Sequence, residues 1–378
     1  MIKKGETSMF YEKMQMLAKT IVNYSLEIQK GEKLLIEVKG HGTDEILRHL
    51  IAQTLEAGGV PFWNRHSEDI NAFFLHNSNK EQIESWSGIH KLVMNDIDAY
   101  VSIRGADNVY ELSSVSENNM KSYMKYYFEE VHSKIRVAHK KWVVLRWPNY
   151  SMAQLAEIGT NEFAKFYFDT CTLNYQKLGE NMTSLVQLMK KTDKVRLINP
   201  DTDISFSIKN IPVIKCDGKR NIPDGEVYTA PVRDSINGYI KYNTPSPYQG
   251  KLFNDIKLQV RNGKIVEATC SGDNKALNAI FNTDEGAKYF GEFAIGVNPF
   301  INTPMKDTLF DEKIYGSFHL TPGSSYDEAP NGNKSAVHWD LVQIQTPAYG
   351  GGEIWFDDVL IRKDGEFQLK SLQCLNRK

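Results

Sequence analysis

Cysteine is scarce in this chain: four among 378 residues, at Cys171, Cys216, Cys270 and Cys374, with no CxxC pair. Neither a disulfide scaffold nor a zinc knot of cysteines can be built from such spacing, and the pattern fits a reducing cytoplasm. Charge of one sign is also missing. Lys and Arg number 45, Asp and Glu 47, for a net charge of −2. Neither half is basic enough for a nucleic-acid footprint or a membrane-surface patch. No apolar run approaches the roughly 18 residues of a membrane span. The opening MIKKGETSMFYEK lacks the apolar core of a secretory signal. The expected setting is a cytoplasmic protein with neither nucleic-acid nor membrane partners. Several motifs are absent too. No GxGxxG or GxxxxGK[ST] follows a strand-like run, no HExxH occurs, and no GxSxG marks a serine hydrolase.

What is present divides into two halves of different rhythm. Phe10, Met14, Leu17, Ile21, Tyr24 and Ile28 recur in steps of four and three, one apolar helical face. Short strands are predicted at 33–38, 60–63, 99–103 and 142–147, with a helix at 44–57 and further helical segments between. This alternation predicts an α/β domain with an open, mostly parallel sheet over 1–193, of which about 151–193 is a helical connector. From 194 to 378 period-2 strands dominate, at 195–198, 203–208, 256–260, 265–268, 359–362 and 366–369. Hairpin turns are expected at Asn262-Gly263 and Lys363-Asp364-Gly365, and one helix over 274–289. A β-rich α+β domain is the expected architecture of this second half, and the metal-binding chemistry is expected there.

Seven histidines (41, 49, 66, 76, 90, 132 and 139) are scattered through the first half without metal-ligand spacing and read as solvated or structurally satisfied. The second half has only His319 and His338. Ser335–Val342 reads as a strand, so His338 and Asp340 project from one face, about 6.5–7 Å apart at the backbone. An imidazole and a carboxylate so placed suit a divalent transition metal. His319 lies by a glycine turn with Tyr326 seven residues on, a phenol able to donate to a developing oxyanion. Glu226 and Glu292 each adjoin a glycine, and Glu292 stands in an otherwise apolar run, a poor core residue unless paired. Two Glu, two His and one Asp make up the donor set of a two-metal hydrolase.

Taken in order, Glu226–Gly238, Gly291–Pro299, His319–Tyr326 and Ser335–Asp340 resemble the signature segments of the M29 family, the thermophilic, AmpS/PepS-like metallo-aminopeptidases. The resemblance is sharp over about 226–340 and softer before residue 200. It implies a metal-dependent aminopeptidase that removes the N-terminal residue of peptides with a free N-terminus. It further implies two divalent ions, zinc first with cobalt or manganese as alternatives, and a homodimer. Carried over by position, Glu226, Glu292, His319, His338 and Asp340 are implied ligands. Glu292 is the implied bridge and catalytic carboxylate, and Tyr326 a ligand or oxyanion stabiliser. Tyr228, Phe293, Phe300 and Trp339 are candidates for shaping specificity, the alternative for each being a core position. The 326–338 stretch is shorter than in the better-known members and turn-rich, which bears on substrate range, and Arg233 adds charge near Glu226. An alternative rests on His319, His338 and Asp340 alone, a two-His-one-carboxylate set suited to mononuclear Fe(II) and ring cleavage; dihydroxypyridine dioxygenases resemble the same family. A non-catalytic binder on an inherited fold is a third reading.

Overall fold

A computed structural model describes residues 4–377, with side chains from Phe10 onward. Two compact units emerge: Met1–Leu173 with Gly218–Ile222, and Asn174–Asp217 with Pro223–Lys378. The helix Tyr175–Met189, within the stretch read as a connector, packs in the second unit. Asn174 caps it by accepting from the Lys177 amide, and Leu178, Met182, Leu185 and Met189 form its buried stripe.

The first unit is an open parallel sheet. Its strands run in the order Val60–His66, Lys33–Lys39, Ala99–Arg104, Lys141–Arg146, Asn221–Ile222, every neighbour parallel. The central strands read as nearly unbroken apolar runs because both faces are covered, and Leu34, Ile36, Val101, Ile103, Val143 and Leu145 are fully buried. The apolar face at the N-terminus is helical through Tyr24: Lys4–Lys19 continues into a π-helical turn, Thr20–Ser25, and the expected last member, Ile28, lies past its end, after Glu27 turns to positive φ. Buried charge interrupts this core at Glu37. Glu37 receives a hydrogen bond from Tyr100 at 2.5 Å and meets His66 Nε2 at 3.2 Å. Burial pushes its carboxyl up, but the His66 and Tyr100 hydrogen bonds outweigh that and hold it at about 2. A cavity of about 680 Å³ opens beyond the carboxyl ends of the first three strands, with Gly40, His66, His90 and Asp107 among its lining.

Two antiparallel sheets build the second unit. The larger, of nine strands, includes the long hairpin Lys251–Arg261 with Lys264–Ser271. Asn262 and Gly263 both adopt positive φ there, as do Asp364 and Gly365 in the second hairpin, matching the expected turns. The smaller sheet has five strands in the order Val342–Ile344, Ser317–Pro322, Phe290–Gly296, Glu226–Thr229, Ile214–Cys216. Two expectations are corrected. The helix stops at Phe281 instead of running to 289, because Asp284 turns its carboxylate to the amides of Ala287 and Ala336 and starts a separate short turn. And 335–341 is extended but irregular rather than a strand, joined at the single bridge Gly323–His338. Among the described residues no helix is long and apolar enough to cross a membrane.

Candidate metal centre

Strand register does most of the assembly. Residues directly opposite in an antiparallel pair share a face. Glu226 lies opposite Gly296, Tyr228 and His319 both opposite Ala294, and Thr321 opposite Glu292. Glu226, Glu292 and His319 therefore project from one face, with only Ala294 and Gly296 between them. Phe293 points to the other face, fully buried against Phe206 and Phe318. It is core and not a specificity residue. Trp339 is likewise withdrawn, 2% exposed among Tyr248, Phe253 and Phe281.

The structure brings the five candidate ligands together. Glu292 reaches His319 Nε2 at 3.4 Å through one oxygen and His338 Nε2 at 3.3 Å through the other. Asp340 Oδ1 stands 3.3 Å from His338 Nε2, and Glu226 Oε2 3.8 Å from His319 Nε2. Donor atoms of Glu292, His338 and Asp340 fall within 4.8 Å of one another, a span one ion can bridge. The irregular path of 335–341 thus leaves His338 and Asp340 convergent even without a regular strand. His338 Nδ1 lies 2.8 Å from the Ser324 carbonyl. A carbonyl only accepts, so Nδ1 carries a proton, and Nε2, facing the carboxylates, is the position that a second proton or a metal ion takes.

Burial makes that arrangement demanding. Glu226, Glu292 and His319 are at most 5% exposed. Glu226 Oε2, His319 Nδ1 and His338 Nε2 are buried without a hydrogen-bond partner. Glu226 Oε2 and His338 Nε2, which face the cluster, call for a bound cation or proton, while His319 turns Nε2 and not Nδ1 to the carboxylates. The pKa directions agree. Burial raises Glu226, with Lys313 and His319 opposing it. Burial also works to raise Glu292 and Asp340, yet the two imidazoles hold both below the usual carboxylate range. His338 is pushed well up: burial works against its charge, but Asp340 and Glu292 prevail. A divalent ion would replace that proton while satisfying the same carboxylates, so the residues present fit a metal.

Tyr326 lies at the rim, its ring 4.6 Å from that of His338 and 5.6 Å from that of Tyr228. The residue is 45% exposed; desolvation around its hydroxyl and the Glu292 and Asp340 charges push its pKa well up and keep the phenol protonated. Arg233 does not bear on Glu226. Its guanidinium stacks 3.6 Å over the Tyr289 ring and donates to Asn333 at 3.2 Å. The stretch after Tyr326 is tied down from within. Asn331 donates to the carbonyls of Pro231 and Phe290, and Asn333 to those of Gly286 and Gly323.

Two residues escaped the sequence reading. Thr321 donates to Asp340 Oδ1 at 2.8 Å; its place two residues after His319 was the available signal. Lys313, fully buried, sets its ammonium 3.6 Å from Glu226 Oε1. Sequence offered only a charged triplet, Asp311-Glu312-Lys313, ahead of an apolar strand. The first-half histidines stay outside this cluster, and His66 is satisfied by Glu37.

The sequence profile of the family described as thermophilic metalloprotease (M29) matches residues 10–367. Aminopeptidase AmpS of Bacillus subtilis is 33% identical over 127 residues, 32% of this chain and 30% of that protein. Aminopeptidase T of Thermus aquaticus is 32% identical over 138 residues, 32% of this chain and 33% of that protein. These alignments thus span about a third of the curated relatives' length. Aminopeptidase PepS of Streptococcus thermophilus is 27% identical over 246 residues, 54% of this chain and 57% of that protein. In structure, AmpT from Thermus thermophilus superposes with a TM-score of 0.81 at 18% identity, over 95% of this chain and 100% of that one. A 2,5-dihydroxypyridine dioxygenase from Pseudomonas putida shares the fold at a TM-score of 0.60 and 11% identity, over 96% and 99%.

Proposed function

The chain belongs to the thermophilic metalloprotease (M29) family, and on that premise we propose that it is a metal-dependent aminopeptidase, releasing the N-terminal residue of peptides at a dinuclear centre. One observation carries the reading: Glu292 stands between His319 and His338, 3.4 and 3.3 Å from them, with a separate oxygen toward each. A carboxylate so placed can serve two ions at once.

Glu226 and His319 would hold one ion, His338 and Asp340 the other, with Glu292 shared. Zinc is the first choice for this mix of imidazole and carboxylate, with cobalt and manganese as alternatives. When bound, the ions polarise the scissile carbonyl and ease deprotonation of a water. Glu292 takes the proton of the attacking water. Its depressed pKa keeps it ionised, as a ligand must be, and makes it a weak base that gives the proton up again readily. Tyr326 keeps its proton and donates a hydrogen bond to the oxyanion that develops on the carbonyl. Ser324 fixes the His338 tautomer and Thr321 the Asp340 carboxylate. Tyr228, on the site face, and Phe300, 42% exposed, remain the apolar candidates for shaping the substrate pocket. We place the enzyme, as a homodimer, in a reducing cytoplasm, in keeping with four free thiols.

Chelator-stripped protein reconstituted with zinc, cobalt, manganese or iron, and offered aminoacyl anilides and short peptides, tests the reading. Metal-restored release of the N-terminal residue, lost in Glu292→Gln and His338→Ala, is expected. Metal binding without release under any of these ions would overturn it. Iron-dependent oxygen uptake on a dihydroxypyridine would then favour the second reading, which uses His319, His338 and Asp340 alone. Against that reading stand Glu226 and Glu292, both buried on the same face.

A further inference from the structure

A second group of metal-type donors adjoins the first. Cys216, Asp224 and Glu226 bring a thiol and two carboxylates within 4.8 Å of one another. Cys216 lies opposite Glu226 across the strand pair, and Asp224 precedes Glu226 by two residues. By chemistry alone, a thiol with two carboxylates could take zinc or cobalt. A cation already stands beside it. Lys313, with no exposed surface, places Nζ 3.6 Å from Glu226 Oε1 and also contacts Glu312. Glu312 is its hydrogen-bond partner, and the carboxylates of Glu226 and Asp224 add negative charge around it, while burial keeps the Cys216 thiol neutral. A lysine is almost never fully buried unless paired, and these acids supply the pairing.

The fold builds this arrangement deliberately. Gly296, opposite Glu226, has no side chain, so the Lys313–Ile314 backbone closes directly over the sheet. A Cβ at 296 would stand 2.4 Å from the Ile314 carbonyl oxygen. Lys313 engages one oxygen of Glu226, and the other, Oε2, faces His319 and has no hydrogen-bond partner.

We propose that Lys313 is the positioning residue of Glu226: its ammonium fills the cation position of the Cys216–Asp224–Glu226 triad, keeps metal ions out of it, and directs Glu226 Oε2 to the metal centre. The proposal rests on Glu226 being a ligand of that centre, but its test reads metal binding and not turnover. The ammonium brings one positive charge where a divalent ion would bring two. It therefore balances Glu226 without drawing that residue away from His319.

Full-length protein would be loaded with cobalt(II), the ions counted, and the visible and near-ultraviolet spectrum searched for thiolate-to-cobalt charge transfer. Wild type is expected to show no thiolate band, and Cys216→Ser to keep wild-type stoichiometry and affinity. Lys313→Met is expected to gain one ion per chain together with a thiolate band, both lost in Lys313→Met/Cys216→Ser. That double variant is expected to bind at the main centre roughly 10–100-fold more weakly, as for other residues that orient ligands. Lys313→Arg, which keeps the charge, is expected to show no thiolate band. A thiolate band in wild type, or an ion lost on Cys216→Ser, would show that the triad is itself a metal site and overturn the proposal. So would Lys313→Met with unchanged stoichiometry and affinity. The Cys216→Ser arm decides even if Lys313→Met fails to fold. Loss of peptidase activity in every preparation, with these binding results intact, would refute the peptidase reading and leave this one standing.

Discussion

Thr321 donates its hydroxyl to Asp340 Oδ1, the same oxygen that faces His338. Two residues from distant segments, 321 on a strand and 340 on an irregular stretch, thereby fix one carboxylate orientation. Thr321→Val keeps the shape and removes only the donor. Metal affinity, measured by competition with a chelating dye, is expected to fall roughly 10–100-fold, with the thermal transition of the metal-free protein changing by no more than the loss of one hydrogen bond, about 1 kcal/mol.

Tyr326→Phe separates binding from chemistry. The phenol sits at the rim against His338, and the proposed mechanism has it donate where charge develops. kcat is expected to fall on the order of 10²–10³-fold, as for other oxyanion donors, while metal content stays at wild-type level. Equal loss of metal and activity would assign Tyr326 to the ligand shell instead.

Removing the metal is expected to lower the thermal transition of the second unit. Binding to the folded state alone adds about 2.7 kcal/mol at a hundredfold excess over Kd. Calorimetry with and without chelator checks this, and adding zinc back is expected to restore the original trace. No shift would mean that the orphaned buried atoms of Glu226 and His338 are satisfied by something other than an ion.

The first unit is expected to weaken in acid by a separate route. Burial, with Arg136 nearby, holds the His132 imidazole down at about 3, whereas the unfolded chain takes the proton near 6.5. Below pH 6.5 the unfolded state binds more protons, so stability falls with falling pH, by up to about 1.4 kcal/mol per pH unit for one group. Glu37, held at about 2 against an ordinary 4.5, adds the same sign of loss below pH 4.5. Urea midpoints at pH 7.5, 6 and 5 are expected to decline in wild type and to decline less in His132→Gln. Equal slopes would remove His132 from the account.

Gly323 has φ +109°, and a Cβ there would lie 2.0 Å from the Val337 carbonyl oxygen. Gly323→Ala forces that backbone away and with it His338, the bridge partner of Gly323. A cost of at least about 1–3 kcal/mol from the backbone conformation is expected, together with weakened metal binding; unfolding curves and metal titration on one sample check both.

Much of this was legible in the sequence, for identifiable reasons. Strands and hairpins showed through period-2 alternation and through Asn-Gly and Asp-Gly turns, which are local signals. Glu292 stood out because a carboxylate in an apolar run needs a partner. Lys313 did not, since its partner Glu226 lies 87 positions earlier and only the closed sheet brings them together. Phe293 looked like a pocket residue because it adjoins Glu292, yet neighbours on a strand face opposite ways. The end of the helix at Phe281 turns on Asp284 reaching Ala336, a tertiary contact that helical periodicity does not encode.

The turn-rich stretch after Tyr326 has a consequence for how this protein can diversify. Asn331 and Asn333 fasten it to four backbone carbonyls, at 231, 290, 286 and 323, and Asn333 is only 1% exposed. It behaves as a strut bracing the strands that carry the ligands. Lengthening it at random would unseat those strands along with any entrance it borders. Descendants of this sequence that acquire new preferences would keep both asparagines and vary around them, so the brace sets the boundary within which selection can work.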